Sequence, residues 1–465
     1  MRFSMAKISE NLMLPKSCRV GSDMNQLANP RKAKAKAKTP ESLDQPRGAD
    51  DNFTQLAGDL VSANAKFYRG APIILLVAPI VAYQELDAKV REYVKVWGKL
   101  TDKSQEHELY EIPNSQLVEI HRRISMYRSV AEGVLDLAPM FLVALVASYE
   151  TFFGNLIRVI LLARPEIISS SDRNLSFRDL VEVGSIESAR ERIIEREIDE
   201  VMRSSLSDQH GWIEQKLVLK IKDGNVLWPG LVEMLERRNL ITHTDGVVSS
   251  QYLQAAKKFG FEAADVKLGD RLDVQGAYLR EKIDLVLEFG IKLIQVVWRK
   301  ILPLQLDSAV GDLNHVAYEL IVDRRFKLAA NLLKFGLDEM KKHGTEAARK
   351  QMVVNYANAV KMGGDKEAAV KILDKEDWTA TNDKYRICVH SVRDEVSDAV
   401  KLMKSVADAG LIDASEFRQW PVFETMRAES SFAAEFEKVF GEKLLGESDS
   451  VGTEAVDIEP VATGM

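Results

Sequence analysis

The hexapeptide Arg238-Asn239-Leu240-Ile241-Thr242-His243 places a permanent cation, a side-chain amide and a titratable imidazole within a turn and a half of backbone. A guanidinium grips phosphate oxygens with a fixed fork of donors, and an imidazole moves protons near neutral pH. The set suits chemistry on a phosphodiester. Its carrier must be a helix that opens near Pro229, turns Leu231, Met234 and Leu235 inward, and stops at Asp245-Gly246, where glycine accepts the left-handed backbone that ends helices. Residues five apart on an ideal helix point about 140° apart. Arg238 and His243 therefore share one site only where the helix unwinds near Thr242 or the arginine bends back, and the Thr244-Asp245-Gly246 turn is the expected place of unwinding.

The elements around that helix read as an all-α protein. Residues 1–52 carry the Lys/Ala run Lys32 to Lys38 between Pro30 and Pro40 without apolar periodicity, which reads as a disordered basic arm. Residues 53–116 form a mainly helical extension with Leu86, Val90, Val94 and Trp97 on one face and a short strand near Glu108 to Ile112. A helical bundle is expected over 117–303. In it Pro139 to Ala163 is apolar round most of its circumference, from Leu142 and Val146 to Ile160 and Leu161, which marks a central helix. Ser176 to Leu180 reads as the start of a short helix, Ile186 to Met202 as a charged helix with a narrow apolar stripe, and Trp212 to Val226 as a short strand or an extended loop. Leu279 to Leu302 closes the bundle, ended by Pro303.

A composition shift at Leu304 to Gly311 reads as a boundary between two cores. Over 309–445 the segments starting at Phe326, Lys366 and Ser397 resemble one another, with Ala330, Ala369 and Ala399 as matching small residues. Their spacing brackets that of tetratricopeptide-like hairpins, each of which buries its apolar face by stacking on a neighbour. Residues 446–465 read as a disordered acidic tail.

The formal net charge of -7 gives no global electrostatic case for nucleic-acid binding, so any such case is local. The two cysteines, Cys18 and Cys388, supply neither a disulfide framework nor a cysteine metal site, which fits a cytoplasmic protein. The start lacks the apolar core of a secretory signal. Ala71 to Tyr83 is short and carries Pro72 and Pro79, and Met140 to Ala163 contains Glu150, Asn155 and Arg158; both are expected as buried helices and not as membrane spans. No His, Cys, Asp or Glu group shows metal-ligand spacing, His390 included, so no cofactor or metal is expected.

With Ala147-Ser148-Tyr149-Glu150-Thr151-Phe152-Phe153 upstream and Gly246 to Leu253 downstream, the hexapeptide resembles the HEPN superfamily, most closely its ribonuclease-type members, over roughly Leu117 to Leu302. The resemblance implies a helical bundle in which two protomers bring Arg, a polar residue and His into one cleft that cuts RNA without metal. Arg238, Asn239 and His243 take the three motif positions, with Glu150 and Arg237 as supporting residues. It further implies an endoribonuclease that leaves 2',3'-cyclic phosphate ends, works as a homodimer, and has a toxin-like role in stress or phage defence. The carboxyl-terminal repeats would bind a protein partner. The same residues also admit a structural reading: solvated helix arginines, a polar residue near a helix end, a histidine cap, and a paired Glu150. On that reading the chain is a non-catalytic scaffold for RNA or protein.

Overall fold

The structure, a computed structural model, describes residues 2–4, 49–103, 108–169 and 181–444. Helix makes up 76% of it, which bears out the all-α class. In chain order the elements are β1 (Arg2–Ser4), α1 (Ala49–Trp97), β2 (Lys99–Lys103), β3 (Glu108–Glu111), α2 (Leu117–Leu135), α3 (Leu137–Ala163), α4 (Pro165–Ser169), α5 (Ile186–Met202), α6 (Leu206–Leu217), α7 (Trp228–Thr244), α8 (Ser250–Phe259) and α9 (Gly276–Ile301). Then come α10 (Leu306–Val322), α11 (Phe326–Asp338), α12 (Glu346–Met362), α13 (Lys366–Leu373), α14 (Asp383–Arg393), α15 (Val396–Asp408), α16 (Ala414–Gln419) and α17 (Ser430–Phe440). Many helix starts are written in the sequence as side-chain caps: Ser185, Ser205, Ser249, Thr345, Asp365 and Asn382 each accept a hydrogen bond from an orphan backbone N–H of the first turn.

Contacts divide the chain into two units. The first comprises residues 1–47, 62–151 and 226–283, and holds the motif helix α7. Its strands order as β1-β3-β2, with both pairings antiparallel and Tyr110 opposite Phe3 and Leu100. Tyr110 and Ile112 join Val90, Val94 and Ile120 in a small core between α1, the hairpin and α2. The strand expected at Glu108 to Ile112 is thus β3. Strand β1 and the start of α1 at Ala49 both fall inside the segment expected as an arm; the rest of that arm, Ser176 to Leu180 and the acidic tail lie outside the described residues.

Two apolar helices depart from expectation. The Ala71 to Tyr83 run continues as helix through Pro72 and Pro79, but within it only Ala71 is buried, and Ile73, Ile74, Leu76, Val77, Ile80 and Val81 are exposed. In α3 the expected core residues from Leu142 to Leu161 are buried or half-buried, yet Met140 is exposed and Ala144, Ala147, Thr151 and Asn155 form an open stripe. That helix is one-sided because small and polar residues recur on a single face, which a count of apolar residues alone hides. By length and composition, 51–97 and 114–163 are each apolar enough to cross a membrane.

The second unit comprises residues 48–61, 152–225 and 284–465. Trp212 falls inside α6, which ends in a left-handed Val218; no strand forms there. The unit runs through 303–308 without a break. Gln295 donates to the Ala309 carbonyl (2.9 Å), Arg299 to the Lys342 carbonyl (2.6 Å), Asn331 to Glu288 (3.0 Å), and Arg325 pairs with Asp284. Across Leu304 to Gly311, where exposed Pro303 and Leu304 end α9, these polar bonds tie α9 to α10 and beyond.

Along the carboxyl-terminal helices each packs on the next from α10 to α15, and in addition α10 packs on α12 and α12 on α14. Helices α11, α13 and α15 share one register. Their caps are Arg325, Asp365 and Glu395, and the residue before each cap, Arg324, Gly364 or Asp394, has positive φ. Four residues past each cap stands a fully buried alanine, Ala329, Ala369 or Ala399, and eight past it Leu333, Leu373 or Met403, also fully buried. The matching alanine in α11 is thus Ala329; Ala330 is half-buried beside it. An aromatic cluster of Phe417, Phe423, Phe432 and Phe436 closes the series.

Candidate active site

Helix α7 is anchored by two carboxylates on different sides. Glu233 lies buried below the motif and accepts from Arg237 Nε (2.7 Å), Tyr278 Oη (2.7 Å), Lys282 Nζ (3.1 Å) and Tyr252 Oη (3.2 Å). Burial by itself would raise the Glu233 carboxyl, but the Arg237 and Lys282 charges with the Tyr278 hydrogen bond outweigh it and hold it below the usual range. The same burial and the Glu233 charge push Tyr252 up to about 12. Arg237 also donates to the Asp273 carbonyl (2.9 Å) and stacks over Tyr278 (4.3 Å). It is spoken for by the interior.

Arg238, one residue on and about 100° round the helix, turns the other way. Its Nη2 donates to Glu150 Oε1 of α3 at 2.6 Å, in a pair whose side chains are 23% and 34% exposed. Its Nε is buried and has no hydrogen-bond partner among the described residues. Asn239 bonds to the side chain of Glu236, a half-buried carboxylate that burial raises, against the Asn239 bond and the Arg238 charge. Sequence reasoning misses Glu236, although its place three residues before Asn239 puts both on one helix face.

His243 is exposed in the last turn. The helix stays regular through Thr244, with Thr242 Oγ1 bonded to the Arg238 carbonyl and Thr244 Oγ1 to the Leu240 carbonyl. The unwinding expected near Thr242 does not occur, because these hydroxyls bond back into the helix and the left-handed residues start only at Asp245 (φ 52°) and Gly246 (φ 78°). Arg238 and His243 therefore point about 140° apart on an unbroken helix. One protomer brings together Arg238, Asn239, Glu150 and Glu236, and leaves His243 facing outward.

The chain just beyond α7 is pinned. Gly246 N donates to the Leu240 carbonyl (3.0 Å), Leu272 N to the Gly246 carbonyl (2.9 Å) and Val248 N to the Asp270 carbonyl (2.8 Å), while Arg271 pairs with Asp245 (3.0 Å). A Cβ on Gly246 would stand 3.1 Å from the Leu272 carbonyl oxygen, so both the positive φ and the close approach require glycine. The helix end that carries His243 is thus a fixed platform.

Elsewhere, the structure brings His390, Glu395 and Asp398 together, with one ligand atom from each lying within 4.8 Å of the others, a grouping the sequence spacing did not show. His390 Nδ1 lies 2.6 Å from Glu395, and Asp398 is paired with Lys401 at 2.7 Å. The turn at left-handed Asp394 makes this juxtaposition, folding the start of α15 back on the end of α14.

Compared with protein-family models, with curated proteins and with solved structures, the chain matches none.

Proposed function

We propose that the chain is a metal-independent RNA endonuclease of HEPN type that acts as a homodimer. The observation that carries the reading is the exposed imidazole of His243 on a rigid helix end whose Arg238 is held by Glu150 of α3 and whose Asn239 is held by Glu236 one turn below. In the reaction His243 takes the proton of a ribose 2'-hydroxyl, the nucleophile that RNA has and DNA lacks. The 2'-oxygen attacks phosphorus as the bond to the 5'-oxygen breaks. His243 of the partner subunit protonates that 5'-oxygen, leaving a 2',3'-cyclic phosphate and a 5'-hydroxyl. Arg238 stabilises the added charge on the phosphoryl oxygens. Its single bond to Glu150 leaves the guanidinium with further donors for a phosphate, while Asn239 orients phosphate or imidazole.

The carboxyl-terminal helices, with their shared register, form tetratricopeptide-like hairpins that bind a protein partner. The protein works in the cytoplasm, in a toxin-like stress or phage-defence role. A second reading is favoured by the Arg238–Glu150 pair itself: an arginine already neutralised by a carboxylate is what a non-catalytic scaffold for RNA or protein would keep. Incubating the purified chain with total RNA separates the two. The nuclease reading expects fragments ending in cyclic phosphate, lost in both His243→Ala and Arg238→Ala; the scaffold reading expects intact RNA in all three samples.

A further inference from the structure

At the turn between α14 and α15 three side chains of metal-binding type converge: His390 from the last turn of α14, Glu395 at the cap of α15 and Asp398 in its first turn. One ligand atom of each lies within 4.8 Å of the others. The backbone holds them there. Left-handed Asp394 reverses the chain, Glu395 N donates to the His390 carbonyl (2.9 Å), and Ile387, Val392, Ala399 and Met403 lock the two helices into one core. Helix capping does not account for the two carboxylates. Elsewhere in this chain acids at helix starts do cap: Asp365 accepts from Ala368 N, and Asp413 forms a reciprocal box with Glu416. The Glu395 side chain makes no such bond and turns instead to His390 Nδ1, 2.6 Å away. Charge pairing accounts for them no better. Neighbouring Asp394 is tied to both Lys361 and Lys366, whereas Glu395 has no Lys or Arg partner among the described residues, and Asp398 is met by Lys401, a side chain 72% exposed.

We propose that His390, Glu395 and Asp398 bind one divalent transition-metal ion of the zinc class. One imidazole nitrogen and two carboxylate oxygens are a donor set of three-ligand zinc sites, which leave a fourth position for water or a ligand from outside. The charges balance, because two carboxylates neutralise the ion and the imidazole binds in its neutral form. The histidine sets the selectivity. Hard Mg²⁺ and Ca²⁺ take shells of oxygen, while imidazole nitrogen suits zinc and the later first-row ions. Binding needs only small movements. Ligands at about 2.0–2.2 Å from a tetrahedral ion stand roughly 3.3–3.6 Å from one another, so the His390–Glu395 pair opens by about 1 Å. Asp398 closes in by leaving Lys401, an exposed pair whose loss costs little. The bound ion fastens the start of α15 to the end of α14.

The inference is independent of the nuclease reading, so it is tested by binding and not by cleavage, in the untagged full chain after chelator has been dialysed away. With Zn²⁺ alone as the probe, calorimetry is expected to show one equivalent bound with a Kd on the order of 1 µM, weaker than a closed four-ligand site. Free Zn²⁺ at about a hundredfold over Kd should raise Tm by about 5 °C. Asp398→Asn, which keeps the shape and removes the charge, and His390→Ala should each raise Kd at least about tenfold. Lys401→Ala frees Asp398 and should bind zinc as tightly as wild type or up to about threefold tighter. Co²⁺ in place of Zn²⁺ should give visible d–d absorption that His390→Ala abolishes. Asp398→Asn keeps the test decisive even if His390→Ala fails to fold. No binding at about 100 µM Zn²⁺, one equivalent indifferent to Asp398→Asn and His390→Ala, or Mg²⁺ or Ca²⁺ bound as tightly as Zn²⁺ overturns the inference.

Discussion

Replacing Glu233 with alanine should loosen the platform on which the motif stands. The carboxylate neutralises Lys282 (side chain 7% exposed) and Arg237 (16% exposed) and accepts two phenol hydrogen bonds. Removing one partner of a buried charge cluster costs about 3–5 kcal/mol, because the remaining charges stay buried. Lys282 keeps Glu281 at 3.1 Å, but that carboxylate is 70% exposed and offsets little, and Arg237 keeps the Asp273 carbonyl, so the low end, about 3 kcal/mol, is expected. For a unit of this size that lowers Tm by roughly 6–12 °C. Hydrogen exchange followed by mass spectrometry should show lost protection in peptides spanning 228–244, and thermal unfolding should show the shift. Lys282→Ala combined with Glu233→Ala should cost less than the sum of the two by about 1–3 kcal/mol. The pH dependence has a definite sign. The folded carboxyl lies below its unfolded value of about 4.3, so its stabilisation is complete above that pH and fades as pH falls through the folded value. The gap between wild type and Glu233→Ala should therefore narrow in acid. A Tm within 2 °C of wild type, with additive single changes, would refute the reasoning.

Gly246→Ala should destabilise by about 1–2 kcal/mol in urea titration, from the left-handed backbone and the crowding against Leu272, whereas Asp245→Gly should be neutral or stabilising. His210 is wholly buried against Phe153 (4.5 Å) and Phe289 (5.6 Å), and burial pushes it down to about 4. Because the unfolded chain binds that proton near 6.5, stability should be full above pH 6.5 and fall by about 3 kcal/mol as pH drops toward 4; His210→Phe should flatten that dependence, and an unchanged pH profile would contradict it. Removing residues 311–465 cuts α10 and the bonds from α9 to its successors, so the truncated chain should aggregate or lose helix by circular dichroism, instead of leaving a folded bundle.

Much of the fold is legible in the residues, and the gaps have physical causes. The caps, the Asp245-Gly246 stop and the helical class follow from local chemistry that a sequence displays directly. The partnership of Arg238 with Glu150 is readable as a possibility only, since residues 88 positions apart meet through packing. The Glu233 network escapes sequence reasoning because Tyr252, Tyr278 and Lys282 come from two other helices and look like ordinary surface residues. Thr242 and Thr244 suggest an unwinding turn, but their hydroxyls satisfy helix carbonyls and extend the helix. Ala71 to Tyr83 suggests a buried helix, yet apolar character alone does not say what covers one. The repeat register slips by one at Ala330, since Ala329-Ala330 offers two equal candidates until the cap at Arg325 fixes the count.

The central claim is that His243 moves a proton in RNA cleavage. Its most direct measurement is the rate and end-group analysis of a 5'-labelled RNA incubated with wild type and His243→Ala in EDTA. The account predicts cyclic phosphate ends from wild type and a loss of at least about 10²-fold in the variant. Equal cleavage by both proteins, or none by either, would contradict it.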